Sequence, residues 1–243
     1  SAETPNVTAE TQKEEISAEM PDMTAETQNE EKSDVQAEGQ NQAKQGVLEA
    51  VRQNTEKAEE STLVYGSGDY TRINPAMDEH CEINMLLFSG LTAHDADDQV
   101  IPGLAEKWEY DEDSCTYTFH IRDGIKWHDG EAFTADDVKF TIEAIMDPEN
   151  GSENAPNYED VQEIKVMDDQ TIAFKLAEPN VAFLEYMTIA ILPKHLLEGE
   201  DMQESDFFRH PVGTGPYKLE SWDAGQSIVM TKNEDYYLGS PKI

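Results

Sequence analysis

Two short glycine-rich segments are the first places in this 243-residue chain where residue type and spacing suggest chemistry. They are Gly66-Ser67-Gly68 and Gly213-Thr214-Gly215, and glycines at this spacing occur in loops that bind phosphate. Both segments lack the third glycine of a dinucleotide-binding loop, and residues 216–219 favour a strand where such a loop requires a helix. Ser67 also lacks the flanking residues of a hydrolase nucleophile. Neither segment therefore predicts a catalytic site.

Metal-ligand patterns are equally incomplete. Four residues match positions 1, 3, 5 and 12 of a calcium-binding loop: Asp95, Asp97, Gln99 and Glu106. Val100 stands where the sharp turn of such a loop requires glycine. The histidines at positions 80, 120 and 128 have no zinc-like spacing, so we interpret them as core or surface residues. The sequence predicts no metal site and no cofactor.

The charge of the chain restricts its partners. There are 52 acidic and 17 basic residues, which give a net charge of −35. Because such a protein repels phosphate backbones and anionic lipids, nucleic acid is not an expected partner. A carboxylate pair for acid/base catalysis cannot be singled out, since most acidic side chains solvate the surface. We predict a protein that is not an enzyme and has no catalytic residues.

The two cysteines, Cys81 and Cys115, are too few for a disulfide framework. They can form a single bridge in an oxidising compartment, or both can remain as small buried thiols. The sequence leaves these alternatives open, because it does not give the distance between the two side chains.

Residues 1–60 have the composition of a spacer. They are rich in Glu, Gln, Ala and Thr, contain no aromatic residue, and hold 15 acidic and 5 basic residues. Residues 2–17 are nearly repeated at 18–33, with 11 identities in 16 aligned positions. A repeat that is present twice and this polar cannot bury a core. We therefore predict a disordered acidic spacer over 1–60, containing a duplicated 16-residue repeat.

The elements that must position any site lie in residues 61–243, because the aromatic residues begin at Tyr65. A short apolar run predicts a strand over 61–65, and alternating apolar residues predict another over 116–122. A hairpin is predicted from two further strands: 161–167 and 171–176.

Helix signals occur twice in this part of the chain. Apolar residues at helical spacing predict a helix over 78–89 that stops at Gly90. Thr134 and Asp137 form a capping-box pattern, which predicts a helix that ends at 147–148. Strands and helices interleave without a regular rhythm, so the predicted fold class is α/β with a mixed α+β sheet.

Specific segments carry a family resemblance. A signature run covers residues 104–108, 115–130 and 133–138, and a second landmark covers 213–219 with 233–239. In these segments the sequence resembles the extracellular solute-binding proteins of family 5, the oligopeptide-, dipeptide- and nickel-binding receptors of ABC importers. The resemblance covers residues 61–243 and does not include the spacer.

The resemblance implies a receptor of the type II periplasmic-binding-protein kind, in which two lobes close around a ligand. Residues 61–243 would form its N-terminal lobe. Family members are about twice as long, and the second lobe normally begins just beyond the turn at 239–241. We therefore expect a truncated receptor without its second lobe, and weak or absent ligand binding by this lobe alone.

The resemblance also implies where ligands touch the first lobe: the loop after the opening strand, the end of the helix before Gly90, and the segment 214–217. The predicted ligand-binding residues are Ser67, Gly68, Asp69, Asn74, Phe88, Thr214, Gly215 and Tyr217. Taken alone, Trp127 and His128 are better explained as a buried aromatic residue and a turn histidine. Gly213 and Gly215 are likewise explained by backbone geometry, either a positive φ angle or close approach of two chain segments.

The implied function is the substrate-binding component of an ABC transporter, which captures extracellular peptides for import. Its ligand would be a short peptide or other small solute, and its partners would be ABC permease subunits in the membrane. It would lie in the extracellular or periplasmic space, tethered as a lipoprotein through the spacer. The alternatives are a secreted hydrolase that uses a carboxylate pair and a surface-displayed scaffold protein. The sequence does not distinguish a peptide from a nickel chelate or another solute.

Overall fold

The structure, a computed structural model, describes residues 62–68, 72–77 and 82–243. Within these residues eight strands form three antiparallel sheets. The strands are β1 (Thr92–His94), β2 (Val100–Pro102), β3 (Ala105–Asp111), β4 (Thr116–Ile121), β5 (Val161–Asp168), β6 (Thr171–Leu176), β7 (Tyr217–Asp223) and β8 (Ser227–Lys232). β1 pairs with β2, β7 pairs with β8, and the central sheet has the order β3-β4-β6-β5.

Helices in the described residues are short, with one exception. The α-helices are α1 (Asn84–Leu87), α2 (Ala135–Met146), α3 (Phe183–Tyr186) and α4 (Lys194–Leu197), and 3-10 turns cover Ala155–Tyr158 and Asp206–Arg209. None of these helices has the length and apolar composition needed to cross a membrane. The predicted combination of helices and sheet in one fold is confirmed, and every strand pair in the described residues is antiparallel.

The central sheet builds the core through the predicted alternation in β4. Tyr117, Phe119 and Ile121 are buried, while the residues between them are only half-buried. Phe119 meets Phe174 of β6 edge to face, with 5.9 Å between the ring centroids. Phe183 of α3 lies 5.5 Å from Phe174, so the three rings form one aromatic cluster.

α2 begins at the predicted capping box and packs against β5 and β6. The buried carboxylate of Asp137 accepts a hydrogen bond from the Thr134 amide at 2.9 Å. The same side chain accepts from the Lys194 amide at 3.0 Å, which ties the start of α2 to α4. The helix ends where the sequence predicts, with Asp147 as its C-cap.

Two turns of the signature run have glycines with the left-handed backbone that favours this residue. The φ angle is +73° at Gly124 and +99° at Gly130. One isolated bridge between Lys126 and Ala132 connects the two sides of the second turn. Trp127 is 2% exposed and packs between these turns, which confirms its interpretation as a buried aromatic residue.

The hairpin of β5 and β6 also confirms its prediction, whereas two other predictions are wrong. Residues 62–68 are exposed and form no strand, because no described strand lies beside them to accept their backbone hydrogen bonds. In the described part of 78–89, only Asn84–Leu87 is helical, and Phe88 is already extended. The extended backbone is held by a hydrogen bond from the Ile191 amide to Ser89, so tertiary packing overrides the helical spacing.

Several sequence predictions fall outside the described residues. They concern the spacer of residues 1–60, Asp69, and His80 with Cys81. Cys115 is half-buried at the turn before β4. Its pairing with Cys81 stays a prediction.

Candidate ligand-binding groove

A groove of about 1150 Å³ lies beside α1 and the β1–β2 sheet. Its lining comes from six parts of the chain: residues 65–68 with Pro75, residues 82–90, β1 with β2, residues 154–158, residues 185–190, and residues 236–238. The elements of the fold therefore bring together side chains that are more than 170 positions apart in the sequence. A concave site with a mixed apolar and polar lining is typical of small-molecule binding.

Aromatic rings make up much of the groove wall. Phe88 and Tyr158 are buried, and Tyr186, Tyr236 and Tyr237 are half-buried. Tyr158 donates a hydrogen bond from its hydroxyl to the carbonyl of Tyr186 at 2.6 Å, which fixes the ring. Burial raises the pKa of Tyr158 and of Tyr237, so both phenols stay protonated at neutral pH. The wall therefore offers uncharged aromatic rings to a ligand.

The charged side chains in the wall are acidic. Nε2 of His94, at the end of β1, lies 2.5 Å from Oε2 of Glu185 on α3. Glu82 accepts a hydrogen bond from the Tyr65 hydroxyl at 3.3 Å. Among the described residues that line the groove there is no lysine and no arginine.

Two amide side chains in the wall have polar atoms without a partner among the described residues. Asn154 is 6% exposed, and its Nδ2 donates to no other atom. The buried Oδ1 of Asn84, on α1, accepts no hydrogen bond. Buried polar groups are normally hydrogen-bonded, so unpaired groups in a groove wall are candidates for ligand contact.

The glycines of the 213–215 segment pack against the backbone of Leu87, the residue before Phe88 of the groove wall. A Cβ at residue 213 would lie 1.7 Å from the carbonyl oxygen of Leu87. The amide of Gly215 donates to the same oxygen at 2.9 Å. This close backbone contact is one of the two explanations that the sequence offers for Gly213 and Gly215, and it fixes the chain that leads into Phe88.

His128 supports the same segment with its side chain. The amide of Gly213 donates to Nδ1 of His128 at 3.1 Å, and Nε2 of His128 lies 3.0 Å from the carbonyl oxygen of Gly215. A neutral imidazole with its proton on Nε2 satisfies both bonds. Burial lowers the pKa of His128 to about 4, despite the bond to Gly215. His128 therefore has a structural role, which confirms its interpretation as a turn histidine.

Three of the predicted ligand-binding residues meet in the groove: Ser67, Gly68 and Phe88. Four others lie outside its lining: Asn74, Thr214, Gly215 and Tyr217. Asn74 is buried and donates to the carbonyl of Met202 at 2.7 Å, and Tyr217 pairs with Lys232 in the β7–β8 sheet. Thr214 is 1% exposed, with no hydrogen-bond partner for its hydroxyl among the described residues. Asp69 lies outside the described residues, and ligand contact by any of the eight stays a prediction.

Sequence reasoning missed most of the groove wall. His94, Glu185 and Asn154 stand in segments without a motif, and only the folded chain brings them together. Tyr236 and Tyr237 belong to the second family landmark, and this was a signal that could have pointed to them.

Three of the four residues that match a calcium loop, Asp95, Asp97 and Gln99, lie in an ordinary turn between β1 and β2, and Glu106 lies in β3. The Asp95 carboxylate accepts hydrogen bonds from the amides of Asp97 and Gln99 at 2.9 and 3.0 Å. These bonds shape the backbone of the turn. Across residues 62–68, 72–77 and 82–243, no three His, Cys, Asp or Glu side chains are grouped closely enough to hold a metal ion.

The model of the bacterial extracellular solute-binding proteins, family 5 (middle), matches residues 99–243, which is more than half of the chain. The chain belongs to this family. The oligopeptide-binding protein AppA of Bacillus subtilis (strain 168) is a family relative with 34% identity over 189 residues, which cover 74% of this chain and 35% of AppA. The chain thus spans about a third of the length of the curated relatives it matches.

Solved structures of similar proteins share the fold. NikZ from Campylobacter jejuni, in complex with Ni(L-His), aligns with a TM-score of 0.69 and 41% identity over 71% of this chain and 35% of NikZ. AppA from Bacillus subtilis, in complex with a nonapeptide, aligns with a TM-score of 0.67 and 32% identity over 72% of this chain and 36% of AppA. The predicted fold, that of a periplasmic binding protein, is confirmed.

Proposed function

We propose that the protein is the substrate-binding component of an ABC importer and that its groove holds a short extracellular peptide. The observation that carries the proposal is the aromatic groove of about 1150 Å³, in a chain similar to a Bacillus subtilis protein whose structure holds a nonapeptide. The groove exceeds the ~300–1,000 Å³ of ordinary small-molecule pockets, so it has room for an extended ligand. No specific observation in the described residues favours the hydrolase or the scaffold alternative.

Residues 61–243 act in this proposal as the N-terminal lobe, and a second lobe closes over the ligand by a hinge motion. Two apolar side chains at the groove, Met85 and Leu238, are 74% and 57% exposed. Apolar side chains exposed beside a concave surface are typical of faces that become covered on binding. The matched residues of this chain cover only 35% of AppA, which is consistent with an opposing lobe in the relatives.

The proposed partners are the permease subunits of the importer, and the proposed location is the extracellular or periplasmic face of the membrane. Residues 1–60 would act as a lipoprotein tether. A flexible chain of that length has a root-mean-square reach of about 40 Å, which would let the lobe move between solution and a permease.

The test is an NMR titration of the isotopically labelled 243-residue chain with Ala-Ala-Ala and longer alanine peptides. Shift changes are expected at amides around the groove, with dissociation constants near 1 mM, about −4 kcal/mol, because one wall alone contacts the ligand. Perturbation that avoids the groove would contradict the site. Micromolar affinity would contradict the need for a second lobe. A calorimetric titration with nickel–histidine tests the chelate alternative.

A further inference from the structure

The charges in the groove indicate which peptides it prefers. This inference rests on the proposed function. Glu82 and Glu185 are the acidic side chains in the described lining, and no described lysine or arginine faces them. A cleft lined by one sign of charge concentrates ligands of the opposite sign. The net charge of −35 adds to this field.

Glu185 is placed to receive a ligand cation. Its side chain is 51% exposed and that of His94 is 37% exposed, so both remain open to the groove. His94 contacts Oε2 of the carboxylate, and no described side chain bonds to Oε1. A carboxylate with one free oxygen can accept a charge-assisted hydrogen bond from an ammonium or guanidinium group.

The unpaired amides supply a second, independent indication of a ligand. Asn154 is only 6% exposed, and its Nδ2 is a donor without a partner among the described residues. The Oδ1 of Asn84 is an acceptor without a partner among the same residues. Both residues belong to the groove lining, and their unpaired atoms are buried within this lobe. The ring faces of Tyr186 and Tyr236 in the same wall also attract cations.

We infer that the groove prefers short peptides that carry a basic side chain, with Glu185 as the residue that determines this preference. The chemistry is recognition of an alkylammonium or guanidinium group by a carboxylate beside aromatic rings. The amino terminus of the peptide is also an ammonium group. Acetylating it removes that charge and leaves the basic side chain as the cation.

The test is an NMR titration of the 243-residue chain with three tripeptides, Ala-Lys-Ala, Ala-Ala-Ala and Ala-Glu-Ala, each with a free and with an acetylated amino terminus. Ala-Lys-Ala is expected to bind about tenfold more tightly than Ala-Glu-Ala at low salt, and the ratio is expected to fall as salt is added. The preference is expected to persist with acetylated peptides.

Glu185→Gln is expected to reduce the ratio of the two affinities by about three- to fivefold, the range for a partly exposed ion pair. Glu163→Gln, on the exposed side of β5, removes the same charge outside the groove and is the matched control. It is expected to leave the ratio unchanged.

The outcomes distinguish failure of the charge preference from failure of peptide binding. Equal binding of the three peptides, or an equal effect of both substitutions, overturns the charge preference while peptide binding stands. Loss of the preference on acetylation assigns the cation to the amino terminus and also overturns the inference. If no tripeptide perturbs the groove amides, the proposed function fails together with it.

Discussion

The amide of Gly213 donates a hydrogen bond to Nδ1 of His128 at 3.1 Å, and this bond joins the two landmarks of the family sequence. On one side of the bond lies the signature turn, and on the other lies the backbone that packs against Leu87. Phe88, the next residue, lies in the groove wall. A half-buried neutral histidine that does not line the groove therefore supports its wall.

The pH dependence of stability is expected to report this histidine. Its pKa falls from an ordinary 6.5 to about 4 on folding, so the unfolded chain binds more protons between these values. The contribution of His128 is therefore complete above pH ~6.5 and declines as the pH falls toward 4, by at most about 3 kcal/mol. Urea denaturation between pH 4.5 and 7.5 measures this decline.

His128→Gln is expected to flatten that part of the pH profile, because the substituted side chain does not titrate. His210→Gln replaces an exposed histidine and is the control for His128→Gln. It is expected to keep the pH profile of the parent chain. Identical slopes for the parent chain and His128→Gln would show that the imidazole of His128 is not the group that titrates.

Gly213→Ala is expected to destabilise the fold by about 3 kcal/mol or more, since the new Cβ would collide with backbone atoms that cannot rotate away. The Cβ would lie 1.7 Å from the Leu87 oxygen. Gly66→Ala is the matched control, because no atom lies within 4 Å of its Cβ position. Its effect is expected to stay within about 0.5 kcal/mol. Equal melting temperatures for the two variants would contradict the close contact.

Local sequence signals predicted the elements whose stability is local. The capping box of Thr134 and Asp137 and the hairpin of β5 and β6 form from contacts between residues close in sequence. Residues 62–65 have strand propensity, yet no described strand pairs with them. The helical spacing before Gly90 does not produce a helix up to Ser89, because a hydrogen bond from the Ile191 amide to the Ser89 carbonyl holds the chain in an extended conformation.

The groove could be predicted only in part, for a related reason. The family resemblance led to Phe88 and to Ser67 with Gly68, which line the groove. The pair of His94 and Glu185 joins residues 91 positions apart, and no motif at either position indicates the other. Such a pair is specified by the fold and not by local spacing.

Asp137→Ala is expected to lower the free energy of unfolding by about 2–4 kcal/mol, since one buried carboxylate accepts from the Thr134 hydroxyl and from three further donors. These donors are the amides of Thr134 and Lys194 and the indole Nε1 of Trp127, which lies at 3.4 Å. Asp136→Ala, in the same turn of α2 but exposed, is expected to cost less than about 1 kcal/mol. Denaturant titration of both variants measures the difference. A similar loss for the two would contradict the bridging role of Asp137.

Asn74→Ala is expected to reduce stability and to leave the ligand preference of the folded protein intact. Asn74 is 1% exposed and donates to the carbonyl of Met202 at 2.7 Å, and it lies outside the groove lining. Removing a buried hydrogen bond of this kind costs about 1–3 kcal/mol. Asn154→Ala, in the groove wall, removes a side chain whose Nδ2 has no partner in the described residues, so a smaller loss of stability is expected. Thermal unfolding and a titration with Ala-Lys-Ala, each on both variants, check this contrast. Weaker binding by folded Asn74→Ala, with unchanged binding by Asn154→Ala, would restore Asn74 as a ligand contact and remove Asn154 from that role.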